Sequence, residues 1–163
     1  MKRVTGIIGA LALVAASVSV FAQAKPNFTG KWTLVPDPNA AAAGGRGGGR
    51  GGGLGQEFTA AQNDKTLTVT STNAQVGEIK ATYNLDGSET KNPITFNGNT
   101  VERTSKAKWD GNKLVLTSTS NFNGNAAETT QTWTLDASGN LLVENTSNFG
   151  GNPTTTKATY KKN

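Results

Sequence analysis

Three copies of Phe-x-Gly-Asn, at Phe96–Asn99, Phe122–Asn125 and Phe149–Asn152, recur at spacings of 26 and 27 residues. Between them fall turns of a second kind, at Asp86-Gly87, Asp110-Gly111 and Asp136-Ala137-Ser138-Gly139. Asn-Gly and Asp-Gly between alternating segments are the strongest short hairpin signals, because both central residues of a type I′ turn need φ > 0. Every second turn being of one kind is what an up-and-down meander requires: Asp turns at one pole, Phe-x-Gly-Asn turns at the other. A propeller blade would need about 40–45 residues per repeat, so that alternative fits the period badly.

The segments between turns predict ten antiparallel strands: 28–35, 54–61, 65–71, 76–85, 88–96, 100–109, 113–122, 126–135, 140–149 and 154–161. Pro93 interrupts the fifth, since proline cannot donate to a ladder. Thr, Asn, Gly and Ser dominate these segments, and β-branched Thr suits a pleated, half-exposed surface. Residues 39–53 are alanines followed by a Gly/Arg-rich run and are read as a disordered loop.

Alternation along the strands places Trp32, Leu67, Val69, Ala81, Tyr83, Ala107, Trp109, Leu114, Leu116, Trp133, Leu141, Val143 and Tyr160 on one face. Glu78, Lys80, Glu102, Lys106, Glu128, Glu144 and Lys157 fall on the other. One apolar and one polar face per strand is the pattern of a single sheet curled over its own core. The inward face changes character along its length. Large apolar residues crowd the Asp-turn pole. Arg103, Ser105, Ser118, Ser120, Thr129, Gln131, Asn145 and Ser147 follow, then Phe96, Phe122 and Phe149 at the rim. The expected fold is thus all-β, a meander of about 9–10 strands with a packed floor, a polar upper chamber and an aromatic lip.

The N-terminus has the three parts of a secretory signal: Lys2 and Arg3, an apolar run over Ile7–Val20, and small-x-small at Ala22-Gln23-Ala24. The apolar run is shorter than the roughly 20 residues of a membrane span. Cleavage after Ala24 would leave 25–163 as one domain, periplasmic or secreted, with no stable membrane anchor. The chain has no cysteine, so neither a disulfide nor a lipoprotein anchor is available. Its net charge of +5 is mild, and two arginines in the glycine loop (Arg46 and Arg50) are too sparse for a nucleic-acid partner. Nothing in the sequence calls for an oligomer, so a monomer is expected.

With no histidine or cysteine, and carboxylates mostly in turns or outward positions, no catalytic constellation, metal site or cofactor is implied. The reading is a non-catalytic binding protein. Arg103, Gln131, Asn145 and Ser118 would hold the head of a small amphipathic ligand. Trp109 and Trp133 would face its tail, and Phe122 and Phe149 would form the lip. The alternative is an envelope or extracellular structural or adhesive module acting through its outer faces and glycine loop.

Asn27-Phe28-Thr29-Gly30-Lys31-Trp32 resembles the N-F-x-G-x-W opening of the calycin superfamily, the lipocalins and fatty-acid-binding proteins. The resemblance implies a lipocalin-like barrel, with this segment starting the first strand and closing the floor, and a hydrophobic or amphipathic ligand inside. It extends to small exported bacterial proteins of unassigned function that share the opening and a Lys-Trp-Asp-Gly hairpin, here Lys108–Gly111. Three features depart from the pattern. A glycine-rich loop replaces a helix pair, the second lipocalin motif is unmatched, and the late-strand Arg that would stack on the Trp is missing. Lys157 is a poor stand-in for it.

Overall fold

The computed structural model describes residues 24–37, 53–73, 76–96, 98–122 and 124–163, with the side chains of Phe96 and Phe122 left aside. The expected signal peptide, save Ala24, and the Gly/Arg-rich loop, save Gly53, lie outside the described residues.

Among the described residues twelve strands form: β1 (Gly30–Leu34), β2 (Glu57–Gln62), β3 (Thr66–Asn73), β4 (Gly77–Asn84), β5 (Thr90–Lys91), β6 (Ile94–Phe96), β7 (Asn99–Val101), β8 (Arg103–Asp110), β9 (Lys113–Phe122), β10 (Asn125–Leu135), β11 (Leu141–Phe149) and β12 (Asn152–Lys162). All pairings are antiparallel. A ten-stranded sheet runs β4-β3-β2-β1-β12-β11-β10-β9-β8-β5 and curls into a nearly closed barrel, with β6 and β7 paired separately. The meander is as the turn spacing predicts, and first and last strands meet, Trp32 opposite Lys162. Gly111 and Gly124 adopt positive φ (59° and 81°), the conformation those hairpin turns demand.

The strand count differs from expectation in the middle of the chain. The fifth expected strand divides around Pro93 into β5 and β6, because proline offers no N–H to the ladder. Opposite it, the sixth divides at Glu102 into β7 and β8. The remaining pairing of β5 with β8 covers Thr90–Lys91, so the barrel is not zipped by backbone bonds between β4 and β5. Side chains bridge that seam instead. The Thr90 hydroxyl donates to the Thr82 carbonyl at 2.6 Å, and the buried Asn92 carboxamide bonds to both main-chain groups of Thr82.

The core lies at the Asp-turn pole. Trp133 is fully enclosed, edge-on to Phe28 (5.5 Å between centroids) and tilted against Phe58 (5.5 Å). Phe58 meets Tyr160 edge-to-face at 5.0 Å, and Phe28 stacks on Trp109 at 6.1 Å. Such offset and T-shaped contacts match the quadrupoles of the rings. The opening segment is stitched by Trp32 Nε1 donating to the Phe28 carbonyl and by Gln62 Oε1 accepting from Phe28 N–H, both at 2.9 Å.

The cation over Trp32 is Lys162, with Nζ 5.9 Å from the ring centroid. Lys157 does not play that part: it points outward and pairs with Glu144 at 3.1 Å. The reason is register. Lys162 lies directly opposite Trp32, whereas Lys157 faces Glu144 on β11. Gly30 makes room for it, since a Cβ there would stand 2.5 Å from Lys162 Cε.

Candidate functional site

Cross-strand register stacks the inner face of β8–β12 into layers. Trp109, Leu114, Trp133, Val143 and Ala158 form the floor layer. Above it come Ala107, Leu116, Gln131, Asn145 and Thr156. Next is a hydroxyl layer of Ser105, Ser118, Thr129, Ser147 and Thr154, and then Arg103, Ser120, Ala127 and Phe149 at the rim. A period of two along each strand produces this order, and a slip of one residue would invert it.

The polar layers satisfy part of their own hydrogen bonding. Ser105 and Ser118, both buried, share a hydrogen bond of 2.9 Å. The Trp133 indole donates to Gln131 Oε1 at 3.1 Å, and Asn145 Nδ2 donates to Ser147 Oγ at 3.2 Å. Two inner-face atoms remain over. Among the described residues, Arg103 Nε and Asn145 Oδ1 are buried without a hydrogen-bond partner. Asn145 is buried, at 7% exposure, and its Oδ1 has no accessible surface to speak of. A buried polar group left unpaired costs about 1–3 kcal/mol.

The end of the glycine-rich loop enters the same mouth. Leu54 is buried in the core, the Tyr160 hydroxyl donates to the Gly55 carbonyl at 2.9 Å, and a methyl at Gly53 would stand 3.5 Å from Gln131 Nε2. Burial raises the Tyr160 pKa, so the phenol stays protonated and able to donate. The apolar face expected from alternation does not by itself reveal this hook. The sequence signal is Leu54, a large apolar residue directly after the glycine run.

Of the expected ligand residues, Arg103, Gln131, Asn145 and Ser118 share the inner face and span three adjoining layers. Trp133 is consumed by packing, with both neighbours aromatic and its indole N–H bonded. Trp109 sits at the floor against Phe28, with Lys25 over its ring at 5.4 Å. Phe149 is 55% exposed at the rim, and the Phe122 side chain lies outside the described residues.

Two depressions are present on the barrel. A cleft of about 560 Å³ lies beside the Asp86 turn, lined by Lys106, Lys108, Trp109, Asp110, Val115 and Thr117. One of about 260 Å³ opens near the other pole between Thr119, Ala126, Glu128 and Asn148, whose buried Oδ1 has no partner among the described residues. Among those residues, no group of three metal-ligating side chains converges.

No known family model matches the chain, and no characterised protein sequence matches it. The fold is compatible with a calycin-like barrel on its geometry: all-β, antiparallel and nearly closed.

Proposed function

We propose that this chain is an exported, non-catalytic, lipocalin-like protein that takes a small amphipathic molecule into the polar half of its barrel. The observation that carries the reading is a pair of buried inner-face atoms without a partner among the described residues, a donor at Arg103 Nε and an acceptor at Asn145 Oδ1. A ligand head with both an acceptor and a donor answers them, with Gln131 and Ser118 at its sides. Because Phe28, Phe58 and Trp133 fill the floor, the apolar part of the ligand runs towards the rim and the exposed face of Phe149 rather than towards Trp133. Export to the periplasm or beyond rests on the signal-like segment at the N-terminus.

Native mass spectrometry of the protein purified gently from its own host is the test. A small mass released on denaturation, and lost in Arg103→Ala, supports a ligand chamber and allows fragmentation to name the ligand class. A clean apo mass that does not shift with an amphiphile mixture overturns the proposal.

A further inference from the structure

β4 forms one edge of the ten-stranded sheet, and its outer edge is incompletely covered. Thr82 directs its N–H and carbonyl to the seam, where Asn92 receives them. In an antiparallel ladder alternate residues direct their main-chain groups to the same side. Lys80 and Glu78 therefore turn their N–H and carbonyl groups the same way, away from β3. Among the described residues no backbone bond reaches them from that side, and β6 and β7 pair with each other rather than with β4. An open edge of this kind is a template for another strand.

The side chains at this edge identify the strand. Glu57, Glu89, Glu102 and Glu144 each pair with a lysine, whereas Glu78 and Lys80 take part in no ion pair among the described residues, and both are exposed. Their cross-strand neighbours on β3 are Thr72 and Thr70, which are uncharged. We infer that β4 pairs antiparallel with β4 of a second copy, about a twofold axis through Ile79, in place of the monomer expected from the sequence. This register sets Glu78 opposite Lys80 of the other copy, and the reverse, at the two positions whose outward backbone groups have no partner among the described residues. Each such pair exchanges two main-chain hydrogen bonds. The two Ile79 side chains, half-buried in a single copy, meet at the close non-hydrogen-bonded position between them. A shift of the axis to residue 78 or 80 would oppose like charges, so charge selects the register. The interface is isologous and closes on itself, which stops the edge from growing further.

Sedimentation equilibrium of the purified chain, from micromolar to near-millimolar concentration, tests this. The wild type is expected to show a monomer–dimer equilibrium. Glu78→Lys and Lys80→Glu should each weaken it roughly ten- to a hundredfold, since like charges then face each other twice. An equimolar mixture of the two variants should regain association as a heterodimer, because one supplies two lysines and the other two glutamates. A wild type that stays monomeric across the range overturns the inference. So does a dimer indifferent to both reversals, or a mixture that fails to associate.

Discussion

The Asn92 carboxamide stands in for a neighbouring strand at Thr82: Oδ1 accepts from the Thr82 N–H at 2.8 Å, and Nδ2 donates to the Thr82 carbonyl at 2.9 Å. The main chain of Asn92 meanwhile continues the ladder on the other side, its N–H donating to the Arg103 carbonyl at 2.7 Å. One residue thus joins β4 to β8 where Pro93 ends the regular ladder.

Replacing Asn92 by Ala should therefore unfasten the barrel. It leaves the Thr82 N–H without its partner, while the Thr82 carbonyl keeps the Thr90 hydroxyl, and about 1–3 kcal/mol of stability should be lost if the N–H stays buried. Urea denaturation measures the loss, and hydrogen exchange should show the Thr82 amide protected in wild type and open in the variant. A variant as stable as wild type would show that the seam is held by other contacts.

Asn145→Leu should separate stability from binding. The substitution removes a buried acceptor that has no partner among the described residues, at the cost of one bond to Ser147. The ligand-free protein should be unchanged or more stable, by up to about 1 kcal/mol. Ligand retention in native mass spectrometry should disappear. A marked destabilisation of the ligand-free form would mean that ordered water already satisfies Oδ1.

Leu54→Ala should release the loop end from the mouth. Truncating a leucine with 7% exposure costs about 2–5 kcal/mol. Tyr160→Phe, which removes the bond to the Gly55 carbonyl, should cost about 1 kcal/mol. Thermal melts of both variants check the order, and a Tyr160→Phe loss as large as that of Leu54→Ala would contradict it.

Acid should weaken the fold through the Asp turns. The Ser88 hydroxyl and N–H hold the Asp86 carboxyl below its ordinary value of 3.8, and the Asn140 side chain and N–H do the same for Asp136. A depressed folded-state value means that the unfolded chain binds the proton more readily. The stabilisation is therefore present above the ordinary carboxylate range and lost as pH falls through the folded values. Asp136→Asn should flatten that decline in a pH series of denaturation curves. An unaltered decline would place the acid sensitivity elsewhere.

Gly30→Ala should displace Lys162 from Trp32. The added methyl meets Lys162 Cε, and φ of 153° disfavours a side chain. The shift should appear as a change in Trp32 fluorescence together with a loss of about 1–2 kcal/mol, of which up to about 1 kcal/mol is the exposed cation–π contact. Lys162→Met should reproduce the fluorescence change with a smaller loss.

The architecture was legible in the sequence because its signals are local. Turn residues that require φ > 0 set where the chain reverses, and a two-residue period sets which side chains meet inside. Phe28 and Trp32 sharing one face, the apolar floor and the polar layers above it all follow from those two rules. What depends on residues far apart in the chain was not legible. The cation above Trp32 is Lys162 because β12 runs to the end of β1, a matter of register across the whole barrel. Trp133 is spent on packing because Phe28 and Phe58 converge on it from two other segments. The seam at Thr82 and the buried Asn145 acceptor, without a partner among the described residues, likewise exist only once distant strands are side by side. Turn chemistry and side-chain alternation act over a few residues, so the sequence by itself determined the meander. Burial, pairing and leftover hydrogen-bonding capacity belong to the closed sheet, and only the tertiary structure decided them.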